Sequence, residues 1–153
     1  MKKTLQFVIL NLVLLSCQTE VKFNNPSLQG QRQGEFWRAQ NYSAIKTSLG
    51  LTIQANQGLE TIIMHTTSIA NQTFEFGLSN SVYAIFDTKN AGQNNNYNTG
   101  TTGDGEIIIT DYSRGMVTGT FKFNATNTDP LLIIQDKINF KEGVFYKIPV
   151  TVK

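Results

Sequence analysis

The sequence predicts one all-β domain, an antiparallel β-sandwich or a β-barrel, behind an N-terminal signal. Three observations carry this. From Phe36 onward, apolar and polar residues alternate with a period of two. β-Branched and aromatic residues fill these runs, and Gly, Asn and Asp clusters punctuate them. No stretch after the signal combines helical periodicity with caps over more than a turn or two.

Residues 1–16 read as an export signal. Lys2 and Lys3 form a short positive region, and Leu5 to Leu15 is apolar apart from Gln6 and Asn11. The apolar run is about half of the roughly 20 residues that a spanning helix needs. Leu14-Leu15-Ser16-Cys17 resembles the bacterial lipobox, which makes Cys17 the expected lipid-attachment residue. One acyl chain anchors marginally at about 0.8 kcal/mol per buried methylene, whereas two or three hold firmly. Residues 17–34 are polar and broken by Pro26, Gly30 and Gly34, so they are expected to form a flexible tether.

Residues 35–153 then form the domain. Leu51, Ile53 and Ala55 alternate with Thr52 and Gln54. Ile62 and Met64 face one side of the next run, with Thr61, Ile63 and His65 on the other. Val82 to Phe86 is a short apolar strand. A long polar loop is expected over Thr88–Gly105, where Asn94, Asn95, Asn96 and Asn98 mingle with glycines. Glu106 to Thr110 resumes the β pattern, and Ser113-Arg114-Gly115 reads as a hairpin connection. Val117, Phe121 and Phe123 alternate with Thr118, Thr120 and Lys122, which places both phenylalanines inward. Ile138, Phe140 and Phe145 to Val152 complete the pattern. Pro149 lacks a backbone donor and belongs at an edge or a bulge.

Composition narrows the chemistry. Loss of Lys2 and Lys3 with the signal lowers Lys+Arg from 13 to 11, equal to Asp+Glu at 11. A neutral domain gives no electrostatic case for nucleic acid. The chain has one cysteine, so a hydrophobic core and not disulfides must hold the fold. His65 is the single histidine and has no cysteine partners for a zinc site. No metal, cofactor or catalytic constellation is therefore expected. Asp104 and Glu106 flank Gly105 and share a face of an extended segment. The Asp-x-Asp-x-Asp-Gly order of a calcium loop is missing there. Trp37 is expected to plug the core. Tyr97, ringed by small polar residues, is expected at an exposed loop tip, with Asp104 and Glu106 as polar ligand contacts at its base.

The lipobox Leu14-Leu15-Ser16-Cys17 combines with Phe36-Trp37-Arg38-Ala39, Gly105-Glu106-Ile107-Ile108-Ile109-Thr110, Val117-Thr118-Gly119-Thr120-Phe121-Lys122-Phe123 and Glu142-Gly143-Val144-Phe145. With these elements the chain resembles a family of small uncharacterised Bacteroidota lipoproteins, each carrying a single domain of unknown function. That resemblance implies an all-β lipoprotein of the outer membrane, on its periplasmic or its surface-exposed face, and brings no catalytic residues. The expected role is non-catalytic: a binding or structural module that contacts a glycan or protein through loops. The alternative is a calycin-like barrel carrying a small apolar ligand. A carboxylate-dependent hydrolase stands third.

Overall fold

The computed structural model describes residues 27–90, 93–129 and 136–153. Cys17 and the expected signal lie outside them. The described residues form eleven strands: β1 (Ser27–Arg32), β2 (Glu35–Arg38), β3 (Asn41–Thr47), β4 (Gly50–Gln57), β5 (Glu60–Thr66), β6 (Thr73–Phe76), β7 (Tyr83–Asn90), β8 (Gln93–Asn98), β9 (Asp104–Ser113), β10 (Met116–Asn127) and β11 (Lys137–Val152). The all-β expectation holds. Two boundaries move. The sheet begins at Ser27, inside the expected tether, because β1 pairs with both β11 and β2. The expected Asn-rich loop is largely strand, since β7 and β8 pair from Ile85↔Asn98 to Asn90↔Gln93.

The strands follow the order β2-β1-β11-β3-β4-β5-β7-β8-β10-β9-β6, with β10 also paired to β11. That extra pairing closes a ring of β11, β3, β4, β5, β7, β8 and β10. Two long strands make closure possible. β10 pairs β9 through Asn124, then β8 at Thr126 and Asn127. β11 pairs β1 through Tyr146, then β3 from Val150. Each long strand thus changes partners along its length, and the result is one large sheet with ring-like hydrogen bonding, a β-sandwich or barrel-like fold. Every pairing is antiparallel apart from β11 with β3.

Local rules explain the joints. The Ser113–Met116 connection is the expected hairpin, with Arg114 at φ 52° and Gly115 at φ 72°. Positive φ at both central residues matches a type I′ turn and the twist of its strands. Pro149 sits where β11 has left β1 and has not yet met β3, beside a bulge between Phe145 and Ile148. A residue without an N–H fits that gap.

The interior is filled with rings. Phe123 stacks on Phe140 at 4.9 Å, and Phe86 of the opposite layer approaches Phe140 at 5.4 Å. Phe121 and Phe123 are buried and Lys122 is exposed, as the alternation requires. Trp37 is buried against the edge of Phe140, the core role expected for it.

Candidate functional site

The residues expected to bind ligand do not assemble. Tyr97 is 1% exposed and packs on Phe86 at 6.0 Å. It lies on the inward side of β8, so the expectation of an exposed loop-tip ring is corrected. Strand alternation carries an aromatic ring inward even when its neighbours are polar. The asparagines that suggested a loop serve the ladder instead. Asn96 donates from Nδ2 to Asp87, and Thr128 donates from Oγ1 to the Asn96 carbonyl at 3.1 Å. Asn98 Oδ1 accepts the Gly100 N–H at 2.9 Å.

Asp104 and Glu106 do share the outer face of β9, but their partners lie within the sheet. Asp104 Oδ1 accepts Asn124 Nδ2 at 2.6 Å, and Glu106 pairs with Lys122 at 3.0 Å. Among the described residues no three His, Cys, Asp or Glu side chains gather as a metal site. His65 lies half-buried in β5. It shares a hydrogen bond with Thr52 Oγ1 at 2.9 Å and stacks on Tyr83 at 5.2 Å.

A different constellation forms at one end of the sandwich, where two hairpins from opposite layers meet. The β1–β2 turn has Gln33 at φ 51° and Gly34 at φ 87°, and Gln33 N–H donates to the Asn139 carbonyl at 2.9 Å. The β4–β5 turn is held by Gly58 N–H on Gln40 Oε1 at 3.1 Å and by Lys89 N–H on the Leu59 carbonyl at 3.2 Å. These turns set Arg32 and Glu60 face to face. Glu60 accepts Arg32 Nη1 on Oε1 and Trp37 Nε1 on Oε2, the latter at 2.8 Å. A buried indole N–H needs such a partner. The guanidinium also lies 5.9 Å from the Phe86 ring centre. One carboxylate therefore ties β1, β2 and β5 across the layers.

Clefts open on both sides of this cluster. The outer one, about 350 Å³, is lined by Arg32, Phe36, Trp37, Gln57, Leu59, Glu60 and Thr88. Phe36 and Leu59 stand 68% and 63% exposed beside it. The inner one, about 180 Å³, adds Gln33, Phe86, Tyr97 and Ile138 to Arg32, Glu60 and Thr88. Tyr97 thus borders a cavity after all, from within the core. Near it, Asn95 Oδ1 and Asn127 Nδ2 are buried without a hydrogen-bond partner. Asn95 is paired with Thr88 and Asn127 with Tyr97, so both strand positions adjoin the inner cavity.

The outer cleft escaped sequence reasoning because its parts are far apart in the chain. The legible signal was local: two Gly-containing turns, each carrying an exposed apolar residue and a charged one, at Arg32–Phe36 and Gln57–Glu60.

A family model described as Domain of unknown function (DUF6252) matches residues 24–149. No curated protein and no solved structure matches the chain.

Proposed function

This chain belongs to the DUF6252 family, and from that premise we propose that it is a lipid-anchored, non-catalytic binding module of the bacterial outer membrane that holds a glycan in the Arg32–Glu60 cleft. Cys17 carries the acyl chains. The observation that carries the binding role is the pairing of exposed Phe36 with a fixed guanidinium–carboxylate cluster in one open cleft. An aromatic face covers the C–H face of a sugar ring, while planar charged groups take its hydroxyls. The buried Asn95 Oδ1 and Asn127 Nδ2, which lack hydrogen-bond partners, favour a polar occupant at the inner end.

The cleft offers a single carboxylate, Glu60, with each oxygen already accepting a hydrogen bond. Glycoside hydrolysis commonly uses two carboxyl groups flanking the bond, which favours holding over cutting. The ring-filled interior likewise favours a surface reader over an apolar carrier, because a carrier needs an open apolar cavity.

A glycan array with the purified chain tests the reading. Phe36→Ala should weaken any hit about tenfold, the loss of one ring contact of roughly 1.4 kcal/mol. Leu49→Ala, outside the cleft, should leave it unchanged. Hits that survive Phe36→Ala and Arg32→Ala alike would remove the site from this cleft.

A further inference from the structure

The end of the sandwich opposite the cleft has its own chemistry. The β3–β4 tip, the β9–β10 tip and the last residues of β11 gather there. Val150 N–H donates to the Gly115 carbonyl at 2.8 Å, and Lys153 N–H donates to the Lys46 carbonyl at 3.0 Å. Lys46 Nζ lies 5.9 Å from the ring centre of Tyr112, which bridges the two layers. Leu49 and Val152 project here, 77% and 66% exposed. Four cations accompany them: Lys46, Arg114, Lys147 and Lys153. Among the described side-chain carboxylates Asp111 lies at this end, and its Oδ2 accepts the Ser113 hydroxyl at 2.7 Å. Glu35 and Glu60, by contrast, stand at the cleft end.

β4 separates the two ends. Its eight residues run from the Leu49 turn to the Leu59 turn, about 25 Å at strand rise. β1 runs from Ser27 to Arg32 and so travels toward the cleft. The chain therefore enters the sheet from the side of the basic end. Nine residues, 18–26, separate Cys17 from Ser27 and span at most about 30 Å.

We propose that this basic, apolar-tipped end rests on an anionic lipid surface, so that the Arg32–Glu60 cleft faces away from the membrane. The inference builds on the lipid-anchor reading. A short tether keeps the domain close to the headgroups. Cations act there within a Debye length of about 8–10 Å. Each basic residue near an anionic surface contributes about fivefold to binding. The exposed Leu49 and Val152 side chains supply the apolar contact, and tyrosines such as Tyr112 suit the interface, where one end of the ring is apolar and the other wet. An acyl anchor with a basic patch is the two-signal arrangement that holds a protein on a membrane.

The test uses the full chain purified from membranes and placed in phosphatidylcholine vesicles with or without phosphatidylglycerol. The chain has one cysteine. If Cys17 is acylated, a thiol-reactive, polarity-sensitive dye labels only an introduced site, Leu49→Cys or Leu59→Cys. Headgroup-nitroxide lipid should quench the dye at 49 severalfold more than at 59, and only in the anionic vesicles. Arg114→Glu with Lys153→Glu should abolish that difference. Equal quenching at both sites, stronger quenching at 59, or no dependence on anionic lipid overturns the orientation. Self-quenching of the dye at 49 in detergent without vesicles would assign the surface to a second copy, and also overturns it. Dye coupling to the unsubstituted chain is a separate outcome: Cys17 is then free, and the anchor reading falls together with the orientation.

Discussion

Glu60 shows how one side chain can organise a site that no local pattern announces. Trp37 reads as a core residue from its position among β residues. Its partner lies on another layer, 23 residues on, and pairing across layers leaves no periodic trace. His65 lies in the strand that the alternation predicts, and its half-buried environment gives a pH dependence. Burial holds its pKa below the usual ~6.5, and the Leu49 backbone hydrogen bond opposes this in part. A lowered folded pKa means that the unfolded chain takes up its proton first as pH falls. Stability supplied by neutral His65 is therefore complete above the unfolded pKa. It declines as pH drops from near 7 toward the folded pKa, and the decline ends below that value. His65→Gln should flatten this segment of the profile. Urea midpoints for both proteins at pH 7.5 and pH 5.5 check the sign. A larger acid loss in the variant than in the parent would contradict it.

At the scale of elements, the Gly-x-Phe steps of β10 and β11 have a common explanation. Gly119 faces Phe145 and Gly143 faces Phe121 across the β10–β11 ladder. Each ring covers the glycine opposite. A Cβ at Gly143 would meet the Phe121 ring at 2.6 Å, and one at Gly119 would run into the Phe145 ring. This is the reciprocal form of an aromatic covering a strand glycine. Gly143→Ala should then cost about 1–3 kcal/mol by overpacking, more where the nearby Phe121 carbonyl cannot yield. A denaturant titration reads the effect, and an unshifted midpoint would show that the rings have room to move. The alternation in these strands was readable because apolar side chains line one face. β8 was not, because its asparagines mimic loop composition while its backbone pairs with β7 and the Asn96 amide donates to Asp87 on that strand. The first strand was hidden for a related reason: Ser27, Gln29 and Gln31 carry no apolar alternation, and pairing with β11 fixes them in the sheet.

At the scale of the molecule, the choice between sandwich and barrel rests on two seams that local sequence does not encode. Thr126 and Asn127 meet Asn98 and Tyr97, and Val150 to Val152 meet Ala44 to Lys46. Between these short seams lie long ladders such as β10–β11 and β4–β5. Opening free energy follows the extent of the ladder and the apolar surface behind it, so the β8–β10 seam should part before the rest. Its added bond, Thr128 N–H to the Asn96 carbonyl at 2.8 Å, lies at its end. Parting it would expose Tyr97 and widen the inner cavity, which gives an apolar ligand a route to the ring-filled core. Native-state hydrogen exchange should therefore show Thr128 exchanging through a sub-global opening, well ahead of core amides of β5 such as Ile62. An apolar probe added in excess should leave that order unchanged if the domain reads polar ligands at its surface. Probe-dependent slowing of Thr128 exchange would instead mean that the seam admits a ligand, and the carrier reading would replace the cleft reader.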